Sequence, residues 1–237
     1  MSTSKLKAFP RIDPAQMPID PHTRSKTGTR ARDLFTGDRL NEKLALALID
    51  ARVLPFKEIL ESFEFFEHVR RRVWAPQVVD LCCGHGLVGM LYGIHLRKVT
   101  QVRLIDRRRP ASVDLILDAL QPVAPWLRAK VVFEARSIDA VTIEGPTAVL
   151  GIHACGTATD AVLERALAGR HPVAVLPCCH PKRSLPGPAT LGQALGIGLA
   201  TDIHRTYRLE AAGYRTRWSQ LPSEITPMNR VITAWPA

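Results

Sequence analysis

The sequence predicts an α/β fold in which a seven-stranded, mostly parallel sheet follows an N-terminal helical extension. Three observations predict it. From residue 76 onward, short apolar runs alternate with amphipathic stretches, the pattern of strand–helix–strand units. The first run, Val78 to Leu81, passes through a loop of small residues, Cys82-Cys83-Gly84-His85-Gly86, into a helical segment. The last two runs are separated only by a turn-rich stretch, which suits an antiparallel pair closing the sheet.

Composition bounds the rest. A chain of 237 residues accommodates one α/β domain with an extension, and three segments are expected: a basic flexible arm (1–32), a helical cap (33–75) and the sheet domain (76–237). With 46% hydrophobic and 23% charged residues the balance is globular. No apolar run approaches the length of a membrane span, and Met-Ser-Thr-Ser-Lys lacks the apolar core of a signal peptide, so a cytoplasmic location without a membrane partner is expected. The five cysteines fall as two adjacent pairs and a single Cys155, which argues against a disulfide framework and for reduced thiols. The net charge of +10 points to an anionic partner, RNA foremost, with general solubility as the plainer alternative.

Residues 1–32 carry Pro10, Pro14, Pro18 and Pro21 among Lys5, Lys7, Arg11, Arg24, Lys26, Arg30 and Arg32. No helical or strand period survives there, so the segment reads as an extended arm, able to follow an RNA backbone or to serve as an unspecific basic terminus. Leu34 to Asp38 reads as a docked turn, Asn41 to Ala51 as a helix, and Phe56 to Trp74 as a second helix with an apolar stripe of Ile59, Leu60, Phe63, Phe66 and Val69. Arg70-Arg71-Arg72 complements that helix's C-terminus or meets phosphate, and Phe63, Phe65 and Phe66 are expected in the core. Strands follow at Val78–Leu81, Val99–Asp106, Lys130–Ala135, Ala148–Ile152 and Val173–Leu176, then at Arg215–Leu221 and Val231–Ala234. Helices fall between them at Val88–Leu96, Ala111–Leu120, the stretch ending near Gly169 with Thr157 or Thr159 as its cap, and Asp202–Ala212.

Five of these strands end in polar residues: Asp80 to Gly86, Asp106, Asp139, His153 to Gly156, and Pro177 to His180. Open α/β sheets bind ligands outside the carboxyl ends of their strands, so this one edge collects the candidate site. The loop Asp80-x-Cys82-x-Gly84-x-Gly86 resembles the first motif of class I S-adenosylmethionine (SAM) methyltransferases, with Cys82 in place of the first glycine. Asp106 follows at the spacing of a ribose-binding acid, which nicotinamide enzymes share. The segments His153-x-Cys155-Gly156-x-x-Thr159-Asp160, Cys178-Cys179-His180 and Thr226-Pro227-Met228-Asn229 resemble, over residues 33 to 235, one subgroup of that superfamily. It includes the tRNA acceptor-stem 2'-O-ribose methyltransferases and methyltransferase-like proteins with a glutathione-S-transferase C-terminal-like domain. The N-terminal zinc module of the tRNA enzymes has no counterpart, since no cysteine precedes position 82.

The resemblance implies a Rossmann-like sheet, SAM as cofactor, RNA methylation and tRNA processing. It implies cofactor contacts by Asp80, Cys82, Gly84, Gly86, Asp106, Asp139 and His153. His153, His180 and Cys155 are the candidate catalytic residues. An imidazole can take the proton from an acceptor hydroxyl, and a thiolate can act as a nucleophile. Acceptors in a small molecule or a protein side chain, and a chain that binds SAM or RNA without chemistry, are the other readings. No metal is expected, because Cys178-Cys179 lacks the gap between ligands of common zinc sites. The cysteines are expected as reduced, buried small residues beside SAM.

Overall fold

The computed structural model describes residues 5–17, 29–180 and 189–237. Expectations resting on Pro18, Pro21, Arg24, Lys26 and the Pro- and Gly-rich stretch from Pro181 lie outside the described residues. The helices are α1 (Thr29–Arg32), α2 (Leu40–Asp50), α3 (Phe56–Val69), α4 (Leu87–His95), α5 (Ala111–Leu120), α6 (Ala158–Ala168), α7 (Ala189–Leu195) and α8 (Ile197–Ala211). The strands are β1 (Gln77–Leu81), β2 (Gln101–Asp106), β3 (Val131–Ala135), β4 (Thr147–Ile152), β5 (Val173–Leu176), β6 (Tyr214–Gln220) and β7 (Arg230–Pro236).

The seven strands form one sheet in the order β3-β2-β1-β4-β5-β7-β6. The first five pair in parallel, and β7 runs antiparallel to both β5 and β6. Val78, Val79 and Leu81 are all buried, because a parallel sheet is covered on both faces and its central strand turns apolar residues to each, with Asp80 the buried exception near its carboxyl end. Val78, Leu104, Leu150 and Leu176 pack with α2 to α5 on one face. Val79, Leu81, Ile105, Val149 and Val175 pack with α6 and α8 on the other. Phe63, Phe65 and Phe66 are fully buried, and at about 1.5–3 kcal/mol for each such side chain they anchor the cap to the sheet domain.

The expected arm is not free over its described part. Leu6, Phe9 and Ile12 are buried, and the Phe9 ring lies 5.0 Å from Phe35 and 5.1 Å from Phe63. The fully buried Glu64 carboxylate of α3 accepts the Ala8 amide at 2.7 Å and the Lys7 amide at 3.1 Å. Burial pushes that carboxyl above its ordinary value, and the two amides partly offset the cost. The segment docks without helical or strand repeat, through single apolar residues, which is why periodicity does not reveal it.

Other departures have local causes. α3 stops at Val69, where Arg70 pairs with Glu67 at 2.8 Å, and the Arg72 guanidinium lies 4.9 Å over the Trp235 ring. Those two arginines therefore brace the fold. Thr157 is the N-cap of α6 without a side-chain bond, while the Thr159 hydroxyl donates to the Ala154 carbonyl. α7 was not expected and α8 begins five residues before Asp202, because Gly192, Gly196 and Gly198 read as helix breakers.

Candidate active site

At the carboxyl edge β1 stands between β2 and β4, the point where the strand order reverses and a doubly wound sheet opens its ligand crevice. Two cavities meet there. The larger, about 580 Å³, is walled by the 82–85 loop, Asp106 and His153, by Lys57, Glu58, Glu61 and Ser62 of α3, and by Thr226, Pro227 and Met228. The smaller, about 310 Å³, is lined by Ile105, Arg107, Arg136, Ile138 and Cys155. Cys82 and Asp106 line both.

The loop after β1 turns through positive φ at Cys82 (+56°), Gly84 (+53°) and Gly86 (+72°). Gly84 and Gly86 are glycines for different reasons. A Cβ at Gly86 would stand 2.6 Å from Leu104 Cδ1, so that glycine serves helix–strand packing. A Cβ at Gly84 would meet nothing within 4 Å, and Gly84 lines the larger cavity. Gly84→Ala should therefore cost only the left-handed backbone term of about 1–2 kcal/mol while weakening SAM binding, as measured by melting and calorimetric titration. Gly86→Ala should lower the melting temperature further, because the same backbone cost is joined by a steric clash.

Asp106 ties the loop down. Its Oδ2 accepts the Gly84 amide at 2.9 Å and its Oδ1 the Arg107 amide at 2.7 Å. Each carboxylate oxygen offers about two lone-pair sites, so both retain capacity toward a ligand hydroxyl. Asp80 is buried beneath the loop, where its Oδ2 accepts the Gly89 amide at 3.2 Å. Its Oδ1 has no partner among the described residues. Burial, with the Asp106 charge nearby, pushes the Asp80 carboxyl up to about 7. An orphaned oxygen beside the larger cavity, a glycine open to it and a half-used carboxylate fit a ligand rich in hydroxyl and ammonium donors.

His153 sits just beyond β4 at φ +54°, and its Nε2 lies 2.8 Å from Glu61 Oε2. The Glu61 side chain is 5% exposed, and its Oε1 is unpartnered among the described residues. A carboxylate at that distance holds the imidazole hydrogen on Nε2 and leaves Nδ1 to accept a proton. The neighbouring His85 has another task. Its Nδ1 accepts the Leu87 amide at 3.1 Å, satisfying a first-turn donor of α4, and burial pushes its pKa down to about 4.

The structure thus gathers Asp80, Cys82, Gly84, Asp106 and His153, with Gly86 supporting the loop and Cys155 in the smaller compartment. Asp139 is not brought in. Its side chain is 82% exposed and faces Arg165, while its neighbour Ile138 lines the cavity. His180 is also elsewhere, held 3.2 Å from Asp202 in a buried ion network. There the fully buried Arg205 pairs with Asp160 at 2.9 Å and Asp202 at 3.0 Å, and Arg230 reaches Asp202 at 2.8 Å. Burial works against the Asp202 charge, yet His180 and Arg230 hold its carboxyl below the ordinary range. Removing one partner of such a network costs about 3–5 kcal/mol, so His180 braces the loop after β5. Contrary to the expectation of buried thiols, Cys155 and Cys179 are exposed.

Glu61 escaped the sequence reading, which took α3 for core and solvated face. Its signal lay in Glu58, Glu61, Glu64 and Glu67, a row of carboxylates at every third position of an otherwise apolar helix. Two of the four, Glu61 and Glu64, are buried.

The profile of a methyltransferase domain family matches residues 55–184, more than half of the chain, from α3 through the Cys178-Cys179-His180 segment. A glutathione S-transferase C-terminal domain-containing protein of Xenopus laevis is 30% identical over 103 residues, a match covering 44% of this chain and 16% of that protein. Among solved structures, a protein of Klebsiella pneumoniae described as an O-methyltransferase superposes with a TM-score of 0.51 at 13% identity, covering 88% of this chain and 94% of the other. A Clostridium thermocellum protein described as an rRNA methylase gives a TM-score of 0.47 at 10% identity, covering 72% and 92%. The structural likeness is one of fold, and the match to the curated relative spans about one sixth of that protein's length, while the profile places the loop, Asp106, Glu61 and His153 within its span: the chain belongs to the methyltransferase domain family.

Proposed function

We propose that the protein methylates RNA, at a hydroxyl of the ribose 2' type. The observation that supports this reading is the His153–Glu61 pair in the wall of the larger cavity, beside Asp106. SAM, when bound, supplies an electrophilic methyl group. Gly84, Asp106 and Asp80 are the residues suited to hold it. A ribose hydroxyl is a poor nucleophile, so the chain must remove its proton as the new bond forms, a service that an amine or thiolate acceptor does not require. In this reading His153 Nδ1 receives that proton. Glu61 keeps the ring in the right tautomer and stabilises the imidazolium once formed. Lys57 in the larger compartment, Arg107 and Arg136 in the smaller, and the net charge of +10 suit a polyanionic acceptor.

The test is incubation with labelled SAM and total RNA, total protein or a small-metabolite extract, followed by nuclease digestion of the RNA. Label should appear as 2'-O-methylnucleoside. RNA affinity should fall linearly on a log–log salt plot, each phosphate contact adding a slope of about −0.7 for single strands or about −0.9 for duplex. Label confined to protein or metabolites, with salt-insensitive RNA binding, would move the acceptor to those classes.

A further inference from the structure

Three thiols converge between neighbouring strands. Cys155 comes from the loop after β4, and Cys178 and Cys179 come from the loop after β5. The two loops are stitched by the Gly156 amide, which donates to the Cys179 carbonyl at 3.3 Å, and His153 and Gly156 fold the first loop back through positive φ. Cys155 Sγ lies 3.1 Å from Cys178 Sγ, Cys178 Sγ lies 3.7 Å from Cys179 Sγ, and all three sulfurs fall within 4.8 Å of one another. We propose that Cys155, Cys178 and Cys179 form a three-thiolate site for one zinc ion, with the fourth coordination position open.

The geometry supports zinc. Zn–S bonds of about 2.3 Å at tetrahedral angles place sulfurs about 3.8 Å apart, and the observed 3.1 and 3.7 Å, with the third pair within 4.8 Å, need only small side-chain adjustments to reach it. Thiolates select thiophilic d¹⁰ cations over magnesium or calcium. No imidazole or carboxylate joins the three thiols among the described residues. The adjacent His180 is turned to Asp202. Three protein ligands and an open position form the arrangement of a reactive site rather than a purely structural one, and the open position takes water or a soft sulfur donor. Cys155 lines the smaller compartment and Cys178 the larger, so the ion stands where the two meet. The thiolate and not the thiol ligates zinc, so each cysteine gives up its proton as the ion binds. Binding must then release protons and strengthen with pH. Spacing along one segment hides such a site, because the third ligand comes from a neighbouring strand.

The full chain, stripped with chelator under reductant and titrated with cobalt(II) chloride, should bind about one ion with thiolate-to-metal charge transfer, displaced by zinc sulfate. Serine at 155, 178 or 179 should each weaken binding by more than about 10–100-fold, the range that outer-shell partners alone produce. Cys82→Ser and Cys83→Ser should leave it unchanged. Melting curves verify folding, and the exposed Cys155 and Cys179 tolerate serine without loss of core. Binding far below one ion per chain, or binding that survives the loss of Cys155, overturns the site. So does a Cys155–Cys178 disulfide that forms in air equally fast with and without zinc sulfate, since an occupied site shields its thiolates.

Discussion

His153→Asn should lower methyl transfer by about 10²–10⁴-fold in single-turnover experiments, the contribution of a positioned general base, while calorimetry shows SAM affinity nearly unchanged. Asparagine keeps a polar group near Glu61 but cannot take up the acceptor proton. Glu61→Gln separates chemistry from stability. The Glu61 carboxylate is buried with one oxygen unpartnered, so a neutral amide should hold or raise the melting temperature. The same change removes the charge that fixes the His153 tautomer, and turnover should fall with it. A positioning role predicts this opposition of rate and stability, whereas a structural role predicts that both decline together. Near wild-type turnover in His153→Asn would leave His153 a structural residue. The base would then be His180, paired with Asp202 at 3.2 Å, or the acceptor would be a free amine or a thiolate that needs none.

What the sequence disclosed follows from where the chemistry is local. Val78–Leu81, Gln101–Asp106 and Thr147–Ile152 are apolar runs ended by polar residues, so each strand and its functional end are read together. The 82–86 loop and Asp106 are legible for the same reason. Glu61 and His153 are 92 positions apart and meet only because α3 folds over the sheet edge, a contact without a local signature. His180 is the converse case. A histidine beside two cysteines at a strand end reads as catalytic, and the structure pairs it with Asp202 of α8, a carboxylate that Arg205 and Arg230 also hold. Asp139 fails through orientation: its segment reaches the cavity at Ile138, and the next side chain points into solvent toward Arg165.

Asp106 is the residue whose loss should be felt most in cofactor binding. Two ribose hydroxyls donating to one carboxylate would each be charge-assisted and worth roughly 1.5–3 kcal/mol, so Asp106→Ala should weaken SAM by about 10²–10⁴-fold. The carboxylate also accepts the Gly84 and Arg107 amides, so the alanine variant loosens the loop as well. Asp106→Asn distinguishes the two effects. Its carbonyl oxygen can still receive the Gly84 amide, while the charge and one acceptor are gone, so its affinity should fall between wild type and alanine. Thermal stability should hardly move in either variant, because the Gly84 amide lies at the surface and water can replace the lost acceptor. Asp139→Ala is the matched control: its carboxylate stands in solvent opposite Arg165, and SAM titration should not register the change. Unaltered affinity in Asp106→Ala would mean that the ribose does not rest on β2, and the crevice between β1 and β4 would have to hold the cofactor by the 82–86 loop alone.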